Sequence, residues 1–147
     1  MGVKTISSIY KYHIILLLLV FSCTKTKNPL LGKWNLHIIE NKDSTNNWVE
    51  SNWMKNGKGR LQYFNNDTVT VHFNPENYGD PGVEAYWYVA SYKLNLDSNF
   101  ALHSRLKHSN PDDVGKTVKR YFEINNDTLT MFAKEFGFRL KWVKQSE

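Results

Sequence analysis

From Leu31 onward, apolar and polar residues alternate with a period of two, the pattern of strands with one buried and one solvated face. In residues 68–73, Val69, Val71 and Phe73 fall on one side and Thr68, Thr70 and His72 on the other. Residues 59–64 set Leu61 and Tyr63 against Arg60 and Gln62, and residues 117–124 align Val118, Arg120, Phe122 and Ile124. Leu129, Met131 and Ala133 form another stripe, and Phe138, Leu140 and Trp142 close the series. Residues 84–94 make a longer aromatic strand in which Tyr86, Tyr88 and Tyr92 oppose Trp87 and Val89. In residues 100–108, Leu102, Ser104 and Leu106 oppose His103, Arg105 and Lys107. Asn65-Asn66-Asp67 and Asn125-Asn126-Asp127, within an approximate internal echo, are tight-turn signals, because Asn and Asp tolerate left-handed backbone. Longer gaps span residues 41–58, 74–82 and 109–114, with a possible helical turn around 48–54. Eight strands joined mostly by hairpins predict an all-β, eight-stranded antiparallel up-and-down barrel, in which closure removes the sheet edges.

The N-terminus follows a different pattern. Lys4 and Lys11 precede an apolar run over residues 13–21, shorter than the roughly 20 residues needed to span a bilayer. The run ends in Leu19-Val20-Phe21-Ser22-Cys23, which resembles the lipobox of bacterial lipoproteins. The resemblance implies cleavage after Ser22, acylation of Cys23 (palmitate-type chains on the new N-terminus) and a tether over residues 23–30. Thr24, rather than Asp, implies sorting to the outer membrane of a Gram-negative envelope. The folded domain is then residues 31–147. Cys23 is the single cysteine, so disulfides and thiol catalysis are excluded from that domain. The net charge of +5 is spread along the chain, with acidic residues interleaved, and gives no nucleic-acid signature. His37, His72, His103 and His108 lack metal-site spacing, and no nucleophile motif or phosphate loop occurs, so no metal, cofactor or catalytic residue is assigned.

Leu31-Gly32-Lys33-Trp34 resembles the Gly-x-Trp opening of lipocalin-like barrels. The order of His103, Pro111, Val114-Gly115, Lys119-Arg120-Tyr121-Phe122, Asp127-Thr128-Leu129 and Leu140-Lys141-Trp142 resembles the bacterial lipocalin-like domain family. That resemblance implies an eight-stranded barrel whose interior either fills with side chains or holds one small ligand. Gly32 and Trp34 would close one end, under a cation from Arg139, Lys141 or Lys144.

A ligand, where present, is expected against Tyr63, Tyr86, Trp87, Tyr88, His103, Arg105, Arg120 and Trp142. Arg120 shares its stripe with Phe122 and is the best candidate for an inward charge. Placing Leu102 and Leu106 inside would instead put His103 and Arg105 outside. Trp48, Trp53 and Met54 are too apolar for a plain loop and suggest a lid. The leading expectation is a membrane-anchored barrel that binds a small apolar or amphipathic molecule without chemistry. The alternatives are a filled barrel docking another envelope protein, and an isomerase- or cyclase-like enzyme using an inward Arg or His.

Overall fold

A computed structural model describes residues 27–146; the lipobox and Cys23 lie outside these residues. The strands are β1 (Gly32–Lys42), β2 (Trp48–Glu50), β3 (Lys58–Tyr63), β4 (Thr68–Asn74), β5 (Tyr86–Asn95), β6 (Phe100–His108), β7 (Thr117–Asn125), β8 (Thr128–Ala133) and β9 (Phe138–Lys144). Apart from the short β2, each strand pairs antiparallel with the next, and β9 returns to β1, with Trp34 opposite Lys144 and Asn41 opposite Phe138. The result is a closed eight-stranded up-and-down barrel. β2 extends the far end of β1 as a hairpin, Lys42 opposite Trp48, and takes the first part of the stretch where a helical turn was expected; a turn follows over residues 53–56.

The period-two alternation explains the interior. Trp34, Leu61, Tyr63, Val69, Val71, Phe73, Phe122, Leu129, Met131, Leu140 and Trp142 are all buried. Of the expected β7 stripe, Ile124 leaves the core and is 37% exposed at the strand's end. Two bulges interrupt the alternation. At His37 the register of β1 on β9 slips between Leu36 and Ile38, which turns Ile39 rather than Ile38 inward. At Leu106 a second slip lies between the pairs Val89–Lys107 and Ala90–Arg105. One extra residue on one strand inverts the facing of everything beyond it.

One end of the barrel is sealed. Trp34 is 1% exposed, and its indole N–H donates to the Leu30 carbonyl at 2.9 Å. The Lys144 ammonium lies 5.4 Å from the Trp34 ring centroid, so of the three expected cations Lys144 covers it. Arg139 and Lys141 instead hold Glu40, at 2.7 and 3.0 Å. Asn28 donates to the Tyr92 hydroxyl at 2.7 Å, and that hydroxyl donates to the Phe64 carbonyl at 3.0 Å. Gly32 adopts φ +116°, a backbone that suits glycine where the chain turns into the floor. The Asn65–Asp67 and Asn126–Asp127 turns lie at this same end, with Asp67 and Asn126 left-handed at φ 57° and 52°. Residues 43–57, 75–85, 109–116 and 134–137 surround the opposite end.

Gly59 marks a close approach of β3 to its neighbours β1 and β4. A Cβ there would sit 2.7 Å from Leu36 Cβ and 3.0 Å from Phe73 Cδ1. Gly59→Ala is therefore expected to destabilise the barrel by about 1–3 kcal/mol through overpacking. Urea unfolding followed by tryptophan fluorescence reads this as a lowered midpoint at unchanged slope.

Candidate ligand-binding site

The Leu106 bulge shapes the site. Before it, Ala101, His103 and Arg105 point inward; after it, His108 does so as well, while Leu106 is 57% exposed. The expectation that Leu102 and Leu106 fill the core, with His103 and Arg105 outside, is corrected. Strict alternation would also separate His103 from His108, and the bulge brings both to the same interior.

His103 is fully buried and held at both ring nitrogens. The Tyr63 hydroxyl lies 2.8 Å from Nε2 and the Tyr88 hydroxyl 3.0 Å from Nδ1. Burial, then the charges of Arg120 and Arg105, push the His103 pKa down to about 3, so the ring is neutral. A neutral imidazole offers one donor and one acceptor, so one tyrosine accepts from the ring and the other donates to it. Burial raises both phenols, Tyr88 to about 12, and keeps them protonated.

The second cluster lies nearer the open end. His108 Nδ1 accepts from the Asn110 backbone N–H at 2.8 Å, which leaves Nε2–H to donate to the Tyr86 hydroxyl at 3.2 Å. Its ring stacks on Tyr88, with centroids 5.9 Å apart and planes 2° from parallel. Burial and the Arg105 charge lower the His108 pKa. Arg105 lies 5.4 Å from the Tyr88 ring centroid and 3.5 Å from Asp113. Asp113 also holds Lys116 at 2.9 Å, and it sits on a one-turn 3₁₀ segment, Pro111–Asp113, capped by Asn110. Arg105 Nε and Trp142 Nε1 are buried without a partner among the described residues.

A cavity of about 60 Å³ opens at this end. A water needs roughly 10–15 Å³ by such a measure, so the space suits a few waters or the end of a small molecule. Leu61, Val71, Met131, Leu140 and Trp142 form its apolar wall, Tyr88 and Arg120 its polar side, and Trp53, Phe73, Tyr86 and Phe138 its entrance. Trp53 is 48% exposed and packs on Phe73 at 5.7 Å and Phe138 at 6.3 Å between ring centroids.

Of the residues expected to meet a ligand, Tyr86, Tyr88, Arg120 and Trp142 line this cavity. Tyr63 and His103 lie behind it as a buried support, and Arg105 joins the rim cluster. Trp87 does not belong to it: Trp87 occupies the outward stripe of β5, opposite His72 of β4. Of the expected lid, Trp53 stands at the entrance, and Met54, left-handed at φ 63°, packs against the core beside it. Trp48 is not part of a lid. It lies against Phe132 at 6.4 Å, with Arg139 4.4 Å from its ring, on the outer wall. From the sequence, His108 was weighed only as a metal ligand, and Asp113 and Glu135 were not singled out; the Asn-Pro-Asp-Asp and Lys-Glu-Phe-Gly turns were the available signals.

No family model matches the chain, and no curated protein matches it. A lipocalin-like protein from Bacteroides uniformis ATCC 8492 superposes with TM-score 0.50 at 15% identity, covering 80% of this chain and 100% of that one. A DUF4847 family protein from Bacteroides vulgatus ATCC 8482 superposes with TM-score 0.49 at 10% identity, covering 80% of this chain and 96% of that one. The first likeness establishes a lipocalin-like fold and nothing further.

The buried neutral His103 has a consequence for acid stability. Its folded pKa lies below its unfolded value of 6.5, so the unfolded chain takes up the proton first. The stabilisation is complete above about pH 6.5 and is lost as pH falls toward about 3. In that window the His103 contribution should approach a slope of about 1.4 kcal/mol per pH unit. His103→Gln should flatten the pH dependence of the urea midpoint by up to one proton's worth; an unchanged slope would mean that His103 does not stay neutral.

Proposed function

We propose that the protein is a lipid-anchored binding barrel that takes a small apolar or amphipathic molecule through the end opposite Trp34. The observation that carries this reading is the cavity itself. It is open, mainly apolar, and bordered on one side by Tyr88 and by the buried Arg120. A few fixed polar groups beside an apolar wall suit orientation of a small ligand.

Membrane anchoring is part of the proposal. The lipobox-like run before Cys23 supports it, and several acyl chains would hold the domain where one would not. The chain enters the barrel at the floor, beside Leu30 and Trp34. A short tether there would turn the open end away from the membrane, and the outer membrane is the proposed location. Chemistry is the weaker reading. His103 has both nitrogens engaged by tyrosines and does not line the cavity. The small cavity favours a second reading, a filled barrel that docks a partner through its outer surface.

Binding of a neutral apolar fluorophore such as N-phenyl-1-naphthylamine separates the two. The barrel is expected to bind it saturably, with quenching of tryptophan emission. Met131→Phe, which fills the apolar wall, should weaken binding by at least about tenfold. Full affinity in that variant, or no saturable binding in the wild type, would favour the docking barrel.

A further inference from the structure

We infer that Glu135 is a built-in counter-ion that an anionic ligand displaces from Arg120, and that the cavity selects a small carboxylate-headed amphiphile. This deepens the binding reading above and rests on it.

The two members of the ion pair differ sharply in solvation. The Arg120 side chain is 9% exposed and lines the cavity, whereas the Glu135 side chain is 42% exposed. Glu135 belongs to a one-turn 3₁₀ segment at the rim, Lys134–Phe136, which ends at left-handed Gly137, φ 68°. Arg120 reaches the Lys119 carbonyl at 3.3 Å and the Glu135 carboxylate, both through Nη1. One nitrogen of the fork carries both bonds, although a guanidinium can grip a carboxylate with two.

Among the described residues, the surroundings of Arg120 supply no other base. His103 is neutral, Tyr88 is protonated, and Arg105 has the same sign. Asp113 is engaged with Lys116 and Arg105. Glu135 is therefore the carboxylate that balances Arg120 among the described residues. A buried cation cannot give up its anion without a replacement. A half-exposed glutamate on a short rim turn can be released to water far more easily. Exchange is the consistent outcome: a ligand carboxylate entering along the apolar wall takes the guanidinium, and Glu135 turns to solvent. A neutral molecule of the same shape gains nothing from Arg120 and leaves Glu135 in place.

Calorimetric titration of octanoate and octan-1-ol at neutral pH, against the folded barrel and its variants, tests this. Glu135→Gln removes the competing charge and should raise octanoate affinity about tenfold, the scale of one charge-assisted hydrogen bond. Octan-1-ol should change by less than about twofold. Asp112→Asn removes the same charge from an exposed position at the same end of the barrel, and should leave both affinities within about twofold of wild type. Arg120→Gln should erase the difference between acid and alcohol. Equal gains from Glu135→Gln and Asp112→Asn, or equal binding of acid and alcohol in wild type and Glu135→Gln, would overturn the exchange while leaving the cavity as a binding site. Binding of neither molecule would overturn both readings.

Discussion

Two guanidinium groups inside a barrel of this size constrain everything around them. A buried charge is tolerated only when paired and hydrogen-bonded, and among the described residues no buried strand position carries a carboxylate. The carboxylates come from the rim, Asp113 to Arg105 and Glu135 to Arg120, each on a single 3₁₀ turn between strands. The same positive field, added to burial, keeps His103 from charging. It leaves a neutral Tyr63–His103–Tyr88 chain whose role is to hold shape, since both imidazole nitrogens are already satisfied. Polarity in this interior is thus graded, from an apolar wall through neutral hydroxyls to cations whose partners stand at the edge of solvent.

The two ends of the barrel follow different rules. At the floor, Trp34, Leu30 and Tyr92 are locked by short hydrogen bonds, and Lys144 covers the indole. That end is built for stability and receives the incoming chain. At the other end the aromatic rings of Trp53, Phe73, Tyr86 and Phe138 meet without sealing the space between them. Large rings leave gaps when their edges meet at steep angles, as the 84° crossing of Trp53 and Tyr86 does. The likeness to a Bacteroides lipocalin-like structure concerns the backbone alone; at 15% identity it carries none of these side chains across.

Much of the fold was readable in the sequence because most strands keep strict alternation. Val69, Val71 and Phe73, or Leu129, Met131 and Ala133, declare their inner face without ambiguity. β6 did not, for a physical reason. Its inward residues are Ala101, His103 and Arg105, while the conspicuous apolar pair Leu102 and Leu106 lies on the other side. A bulge at Leu106 then reverses the facing, and no local residue type announces it. Trp48 misled in the same way: an apolar ring in a long gap suggested a lid, yet it finds its surface on Phe132 outside the barrel. Arg120 was readable because it sits among apolar neighbours of equal parity. Its partner Glu135 was not, because a rim carboxylate looks like any solvated residue until the barrel closes.

The most direct measurement is the ionisation of a bound acid. Octanoate labelled with ¹³C at the carboxyl, titrated by NMR in the wild-type barrel, reports the charge of the cavity as the ligand feels it. A cationic cavity built around Arg120 should hold the carboxyl ionised, with a bound pKa below that of the free acid. A bound pKa above the free value, as expected for a carboxyl buried against an apolar wall, would contradict a cationic cavity.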